Sequence, residues 1–267
     1  MMRYIIIFIL LISVSSAVFA GEKYVPYGED RVINSPTAWT MGRGEYKIYL
    51  RFLPFVIGGE LGMSDFLALG ISYGGSNVIG YGKPNWNPRP GFIVKAQITQ
   101  GGAIIPAIAF GYDDQGWGEY HDERNPYKFK KDGVSEPYNR YQYKSKGFFL
   151  VFSQEFKFLG VTGVHFGLNY AITERKDDKT INMYLALEKS ITPDFYFLAE
   201  YDPGFNDNNI FAFGQCRGFL DLGIRWKVSK EFALEGYAAN VFKNQKLRLK
   251  DAGSWYRSIF ISYETYF

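Results

Sequence analysis

The chain has 267 residues, and its 30 basic and 27 acidic side chains leave a formal charge of only +3. A balance so close to neutral excludes a nucleic-acid-binding protein and a polybasic membrane-surface arm. A single cysteine, Cys216, excludes an internal disulfide and a metal cage built from cysteines.

Arg3 precedes an apolar run over residues 4–14 and a stretch of mostly small residues ending at Ala20. This is the order of a secretory signal peptide, residues 1–20, with cleavage expected after Ala20. Cleavage removes Arg3 and no acidic residue, so the charge falls from +3 to +2. The apolar run is too short to span a bilayer comfortably, and no later segment has the length of a transmembrane helix. Aromatic residues make up 19% of the chain, a high share. An exported, aromatic-rich chain without a spanning helix has the composition of a membrane β-barrel, the other structure that pairs every backbone group in lipid.

Residues 21–44 are rich in turn-formers around Ile33-Asn34-Ser35-Pro36-Thr37-Ala38-Trp39, and Pro36 argues against a regular element. The expectation is a periplasmic N-terminal segment, compact enough to enter the barrel as a plug. From residue 45 a two-residue rhythm begins, with side chains alternating between two faces. Residues 45–53 set Tyr46, Ile48, Leu50 and Phe52 against Lys47, Tyr49 and Arg51. Residues 56–62 are short and Gly-rich, a weak strand. Residues 66–73 present Leu67, Leu69, Ile71 and Tyr73, and residues 92–99 set Val94, Ala96 and Ile98 against Lys95 and Gln97. Residues 103–112 contain Pro106, which cannot donate to a ladder, so a bulge is expected there. Residues 144–156 follow, then 161–173 with His165 and Asn169 on the polar face. The remaining strands are 180–189 with Glu188, 195–202 with Glu200, 218–227 with Asp221 and Arg225, and a less regular 232–242 with Glu235. The last, 254–267, sets Ile259, Ile261, Tyr263 and Phe267 against Glu264 and completes a set of twelve.

The connections alternate between tight and long. Tight ones centre on 64–65, 101–102, 159–160, 192–194 and 228–230, and long ones cover 74–91, 113–143, 174–179, 203–217 and 243–253. Only the first hairpin, near Pro54, lacks a long loop. Outer-membrane barrels have short periplasmic turns and longer outside loops, and an even strand count brings Phe267 back to the periplasmic end. A terminal aromatic closing an alternating strand resembles the signal read by the barrel-assembly machinery, which assigns Phe267, Tyr263 and Ile261 to assembly. The fold expected is all-β: a transmembrane antiparallel up-and-down barrel of about 12 strands, residues 45–267, in the outer-membrane lipid bilayer.

A soluble barrel would turn its apolar face inward. Here the opposite face carries Lys47, Arg51, Lys95, Glu188, Glu200, Asp221, Arg225, Glu235 and Glu264, too mixed for a dry core. Such a set suits a lumen with charges paired between strands, since unpaired charges in a confined space are costly. Small inward residues on two strands, Ala68, Gly70 and Ser72 and then Ala107, Ala109 and Gly111, leave room for water or an inserted segment.

No catalytic residue is assigned. His165 with Asn169, and Ser153 on a neighbouring strand, would form a nucleophile site only if they were in hydrogen-bond contact, and a lumen histidine bonded to its neighbours is the preferred reading. His121 with Asp113, Asp114, Glu119, Asp122 and Glu123 lacks a spaced cation-binding loop and reads as a solvated acidic loop. No metal and no cofactor are expected. The aromatics of residues 113–143 (Trp117, Tyr120, Tyr127, Phe129, Tyr138, Tyr141 and Tyr143) suit stacking on sugars or packing onto the barrel mouth, with packing preferred.

Several stretches carry a family resemblance. Asn34-x-Pro36-Thr37-Ala38 ahead of Gly42-x-Gly44-Glu45, Leu69-Gly70-Ile71-Ser72-Tyr73, Asn87-Pro88-Arg89-Pro90-Gly91, residues 106–112, Gln115-Gly116-x-Gly118, residues 144–149, Glu200-Tyr201-Asp202 and Arg225-Trp226 are similar to the YjbH-like group of outer-membrane β-barrels. The resemblance spans most of the mature chain. It implies a barrel and, for some members, a link to exopolysaccharide biosynthesis and secretion; it brings no catalytic or ligand residues. The expected function is a small non-enzymatic outer-membrane barrel, either a narrow channel for small solutes or an accessory to surface-polysaccharide export. An outer-membrane lipid-modifying hydrolase and a structural or adhesive surface barrel are the alternatives.

Overall fold

The computed structural model describes residues 28–80, 82–122, 124, 139–157, 159–172, 174, 180–207, 212–244 and 255–267. The expected signal peptide and residues 21–27 lie outside the described residues. Fifteen strands form among those described: β1 (Glu45–Phe52), β2 (Phe55–Ser64), β3 (Leu67–Ser76), β4 (Asn85–Trp86), β5 (Gly91–Thr99), β6 (Ala107–Asp113), β7 (Trp117–His121), β8 (Arg140–Tyr143), β9 (Gly147–Lys157), β10 (Val161–Tyr170), β11 (Asn182–Ser190), β12 (Phe195–Asp202), β13 (Phe219–Lys227), β14 (Phe232–Ala239) and β15 (Tyr256–Tyr266).

Twelve of them, all but β4, β7 and β8, close into one antiparallel barrel. Each pairs with its neighbour in turn, and β15 returns to β1 with Glu45 opposite Tyr266 and Phe52 opposite Ile259. Closure leaves no edge with unpaired N–H and C=O groups, the condition a strand must meet in lipid.

The polarity of the wall is the reverse of that in a soluble barrel. Ile48, Ile57, Ile71, Phe92, Phe110, Leu185, Ile224 and Ile259 are exposed on the outside, whereas Lys47, Arg51, Glu60, Lys95, His165, Glu188, Glu200 and Arg225 are buried inside. An apolar outside is stable only against hydrocarbon, so the barrel is a transmembrane one. Aromatic pairs mark both rims. Phe195 stacks on Trp226 at the tight-turn end, and Tyr73 stacks on Trp86 near the long connections, with ring centroids 5.6 and 5.7 Å apart.

Inside, large rings lie flat because the residue directly across the ladder is glycine. Tyr49 pairs with Gly58, Tyr184 with Gly167, Tyr237 with Gly223 and Phe149 with Gly111. A Cβ at Gly58 would sit 2.3 Å from the Tyr49 ring, and one at Gly167 would sit 2.1 Å from Tyr184. The ring takes the space that the missing side chain leaves, which fixes the strand register.

Three local expectations are corrected. Residues 56–62, read as a weak strand, belong to the ten-residue β2, because β1 and β3 supply a full ladder on both sides and offset its glycines. Pro106 lies just outside β6 instead of bulging within it, and the register shift falls on the partner strand between Gln97 and Thr99. The loop read as solvated and acidic contains a hairpin, β7 with β8, in which His121 is buried against the Phe213 ring. Glu123, Tyr127, Phe129 and Tyr138 lie outside the described residues.

At the closing seam, the Phe267 N–H donates to the Gly44 carbonyl at 3.0 Å and its ring lies 4.7 Å from Tyr46. Tyr263 and Phe267 are exposed on the outer surface beside Ile261. Deleting Phe267 is expected to lower the yield of folded barrel, read as heat-modifiable mobility on gels of isolated membranes. An undiminished folded band would separate the terminal residue from assembly.

Candidate functional site

The lumen is occupied. Residues 28–41 run through it as a hairpin, with Arg31 bridged to Pro36, the Thr37 N–H donating to Asp30 O at 2.9 Å and the Val32 N–H to Ser35 O at 3.1 Å. Val32, Ile33, Ala38 and Trp39 are buried. The hairpin enters and leaves at the tight-turn end, and its tip at Ile33–Ser35 points toward the long connections. Trp39 and Ala38 pack with Ala107, Ala109, Phe149, Val151 and Tyr184, along the wall where the inward side chains of β6 are smallest.

The inward charges turn mostly to this hairpin. Arg51 donates to Ile33 O at 3.0 Å and to Asn34 Oδ1 at 2.6 Å, and Lys95 donates to Asp30 O at 2.8 Å. Glu200 Oε2 accepts the N–H groups of Ile33, Asn34 and Ser35 at 2.6, 2.7 and 2.9 Å, and its Oε1 accepts the Ser35 hydroxyl at 3.0 Å. Asp221 accepts from Asn34 Nδ2 at 2.8 Å and from the Asn240 N–H at 2.7 Å. Among the described residues the expectation of ion pairs between wall strands therefore fails for these four: hairpin backbone groups meet Arg51, Lys95 and Glu200, and Asp221 is met by the Asn34 side chain and the Asn240 N–H.

It holds elsewhere. Arg225 bridges Glu188 at 3.0 Å and Glu235 at 2.7 Å while donating to the Arg31 and Val32 carbonyls at 3.1 and 2.9 Å. Lys47 lies among Glu29 at 3.2 Å, Glu264 at 3.1 Å and Asp30, and Lys227 pairs with Glu29 at 3.0 Å. Glu29, Asp30 and Glu264 converge closely enough to suggest a cation site, but the Lys47 ammonium already supplies the positive charge there. Sequence reasoning missed Glu29, Asp30, Arg31 and Glu60. For the first three the signal available was a cluster of charges just ahead of a Pro-containing turn, and for Glu60 it was an acidic residue within the Gly-rich stretch 56–62.

His165 and Ser153 do meet. They face each other across β10 and β9, with Nδ1 2.8 Å from Oγ, and Ser153 Oγ also accepts the Ala38 N–H at 2.8 Å. The third member differs from expectation. Asn169 binds the Lys146 carbonyl at 3.0 Å and the Asn182 amide at 3.1 Å, while His165 Nε2 faces Glu188 Oε1 at 3.6 Å. His165 is fully buried under the Trp39 ring, 4.9 Å away, so the trio ties the wall to the hairpin. Ser153→Ala leaves the Ala38 N–H and His165 Nδ1 buried without this partner, an expected loss of about 1–3 kcal/mol. Faster amide exchange at Ala38 is the readout, and an unchanged rate would remove the tie.

Above the hairpin tip, β7 and β8 fold over the barrel mouth. Arg140 pairs with Asp207 at 2.6 Å, Gln142 donates to Tyr256 OH at 2.7 Å, and Trp117 stacks on Tyr143 with centroids 4.4 Å apart. A cavity of about 70 Å³ remains between the tip and this cover.

No protein-family model matches the chain, and no curated protein matches it. Among solved structures it is similar to a KdgM porin, at 9% identity and a TM-score of 0.41 over 84% of this chain and 98% of that one. It is also similar to OmpT (in-vitro folded), an outer membrane protein of Vibrio cholerae, at 9% identity and a TM-score of 0.29 over 84% and 96%. Values this low transfer neither residues nor an activity; the barrel rests on its own strand pairing.

Proposed function

We propose that the chain is a bacterial outer-membrane β-barrel acting as a narrow, non-enzymatic channel. Residues 1–20 serve as the export signal, and residues 21–44 act as a plug entering from the periplasmic side. The observation that carries this reading is the hairpin at residues 28–41 in the lumen of a twelve-stranded barrel. Eight strands make a barrel filled by its own side chains and sixteen to eighteen leave an aqueous pore, so at twelve the filling decides permeability. The restricted lumen favours small solutes over a polymer, and any part in surface-polysaccharide export would be an accessory one. The burial of Ser153 and His165 beneath the hairpin supports a non-enzymatic role over a lipid hydrolase.

Liposome swelling tests the channel. Vesicles carrying the intact protein should swell slowly in a pentose and not at all in a tetrasaccharide. Rapid swelling in the tetrasaccharide would replace the narrow channel with an open pore. No swelling in any solute would favour a structural or adhesive barrel.

A further inference from the structure

Three wall side chains from three strands hold the hairpin tip: Arg51 on β1, Glu200 on β12 and Asp221 on β13. All three are buried, and among the described residues neither Arg51 nor Glu200 is paired with a side chain of opposite charge. Each charge is met by neutral groups of the tip. Glu200 receives three N–H donors and a hydroxyl, Asp221 receives an amide N–H, and Arg51 is accepted by an amide oxygen and a carbonyl. The stacked rings of Trp117 and Tyr143 stand over the same cavity, and Trp117 also lies 5.8 Å from the Arg51 guanidinium carbon.

We propose that Arg51, Glu200 and Asp221 form a subsite for a neutral, hydroxyl-rich solute such as a small saccharide, which the tip of the chain's own hairpin occupies when the barrel is closed. Hydroxyl groups donate to carboxylates and accept from a guanidinium, so vicinal hydroxyls reproduce what Asn34 and the neighbouring peptide groups offer. The cavity as a whole is lined by five carboxylates (Asp113, Glu200, Asp202, Asp207 and Asp221) against four cations (Arg31, Arg51, Lys144 and Lys146). The two carboxylates that hold the tip outnumber its one guanidinium, which disfavours an anion. The Trp117 ring, stacked on the buried Tyr143 at one face, lines the cavity and supplies apolar surface for the C–H side of a sugar ring. The cavity beside the tip, about 70 Å³, is far smaller than the roughly 300 Å³ at which ordinary ligand pockets begin. The solute cannot sit next to the tip; it must replace it. Binding is thus linked to withdrawal of the tip, because a ligand shifts an equilibrium only by its differential affinity for the two states. This inference rests on the channel reading and supplies its solute class and trigger.

Amide hydrogen exchange on the intact protein in vesicles tests it without measuring current. Maltose should accelerate exchange at the amides of Ile33, Asn34 and Ser35 by about tenfold, a usual size for coupling between sites, and leave β1 and β12 unaffected. Glutarate (an anion) and glycine betaine (without hydroxyls) at equal osmolality should not. In Asp221→Asn and Trp117→Ala the ratio of rates with and without maltose should fall toward one. No acceleration by maltose, equal acceleration by all three solutes, or a ratio retained in both variants would overturn the subsite. An intact barrel that proves freely conducting while the maltose ratio holds would instead overturn the channel reading and leave the subsite standing.

Discussion

Removing residues 28–41 is expected to raise single-channel conductance by about an order of magnitude. The hairpin fills the barrel interior with Val32, Ile33, Ala38 and Trp39, which pack in two clusters with wall side chains. The wall it leaves behind is lined by small residues at Ala68, Ala107 and Ala109 and by Arg51, Lys95 and Glu200, which hydrate readily once their hairpin partners are gone. The β7–β8 cover remains, held by Arg140–Asp207, so the pore should stay narrower than the strand number allows. Planar-bilayer recording gives the measurement, with heat-modifiable mobility showing that the shortened chain still folds. A folded deletion variant with the conductance of the intact protein would show that the hairpin does not restrict passage.

The second large effect concerns Arg225. Its guanidinium joins Glu235 on the adjacent β14, Glu188 on β11 beyond β12, and two carbonyls of the hairpin, all within a buried cluster. Removing one partner of a buried ion pair leaves the other charge without compensation and costs about 3–5 kcal/mol. Arg225→Ala should therefore lower unfolding stability in a urea titration by that order. Arg217→Ala, at an exposed loop position, should stay within about 0.5 kcal/mol. Arg248, in the long connection 243–253, lies outside the described residues. Neutralising the acids as well, in Arg225→Met with Glu188→Gln and Glu235→Gln, should recover part of the loss. Equal effects at Arg225 and Arg217 would refute the cluster as a source of stability.

Strand number, strand facing and the alternation of tight and long connections were legible in the sequence because each is a local property. A side chain two residues along a strand points the same way whatever else the chain does, so Lys47, Arg51, Glu188 and Arg225 could be turned inward from alternation alone. Phe267 could be placed at the tight-turn end from parity. The partner of each inward charge was not legible, because it depends on register across strands and on what else enters the lumen. Glu188 and Arg225 meet across 37 residues, and Glu200 meets Ile33 across 167. Burial of an inward charge demands some partner, so alternation could say that Glu200 needs donors. Only the tertiary structure decided that they are three N–H groups of the chain's own N-terminal hairpin, since a backbone turn brought into the lumen presents its dipoles at hydrogen-bond distance, where a side chain from the opposite wall would have to cross the barrel.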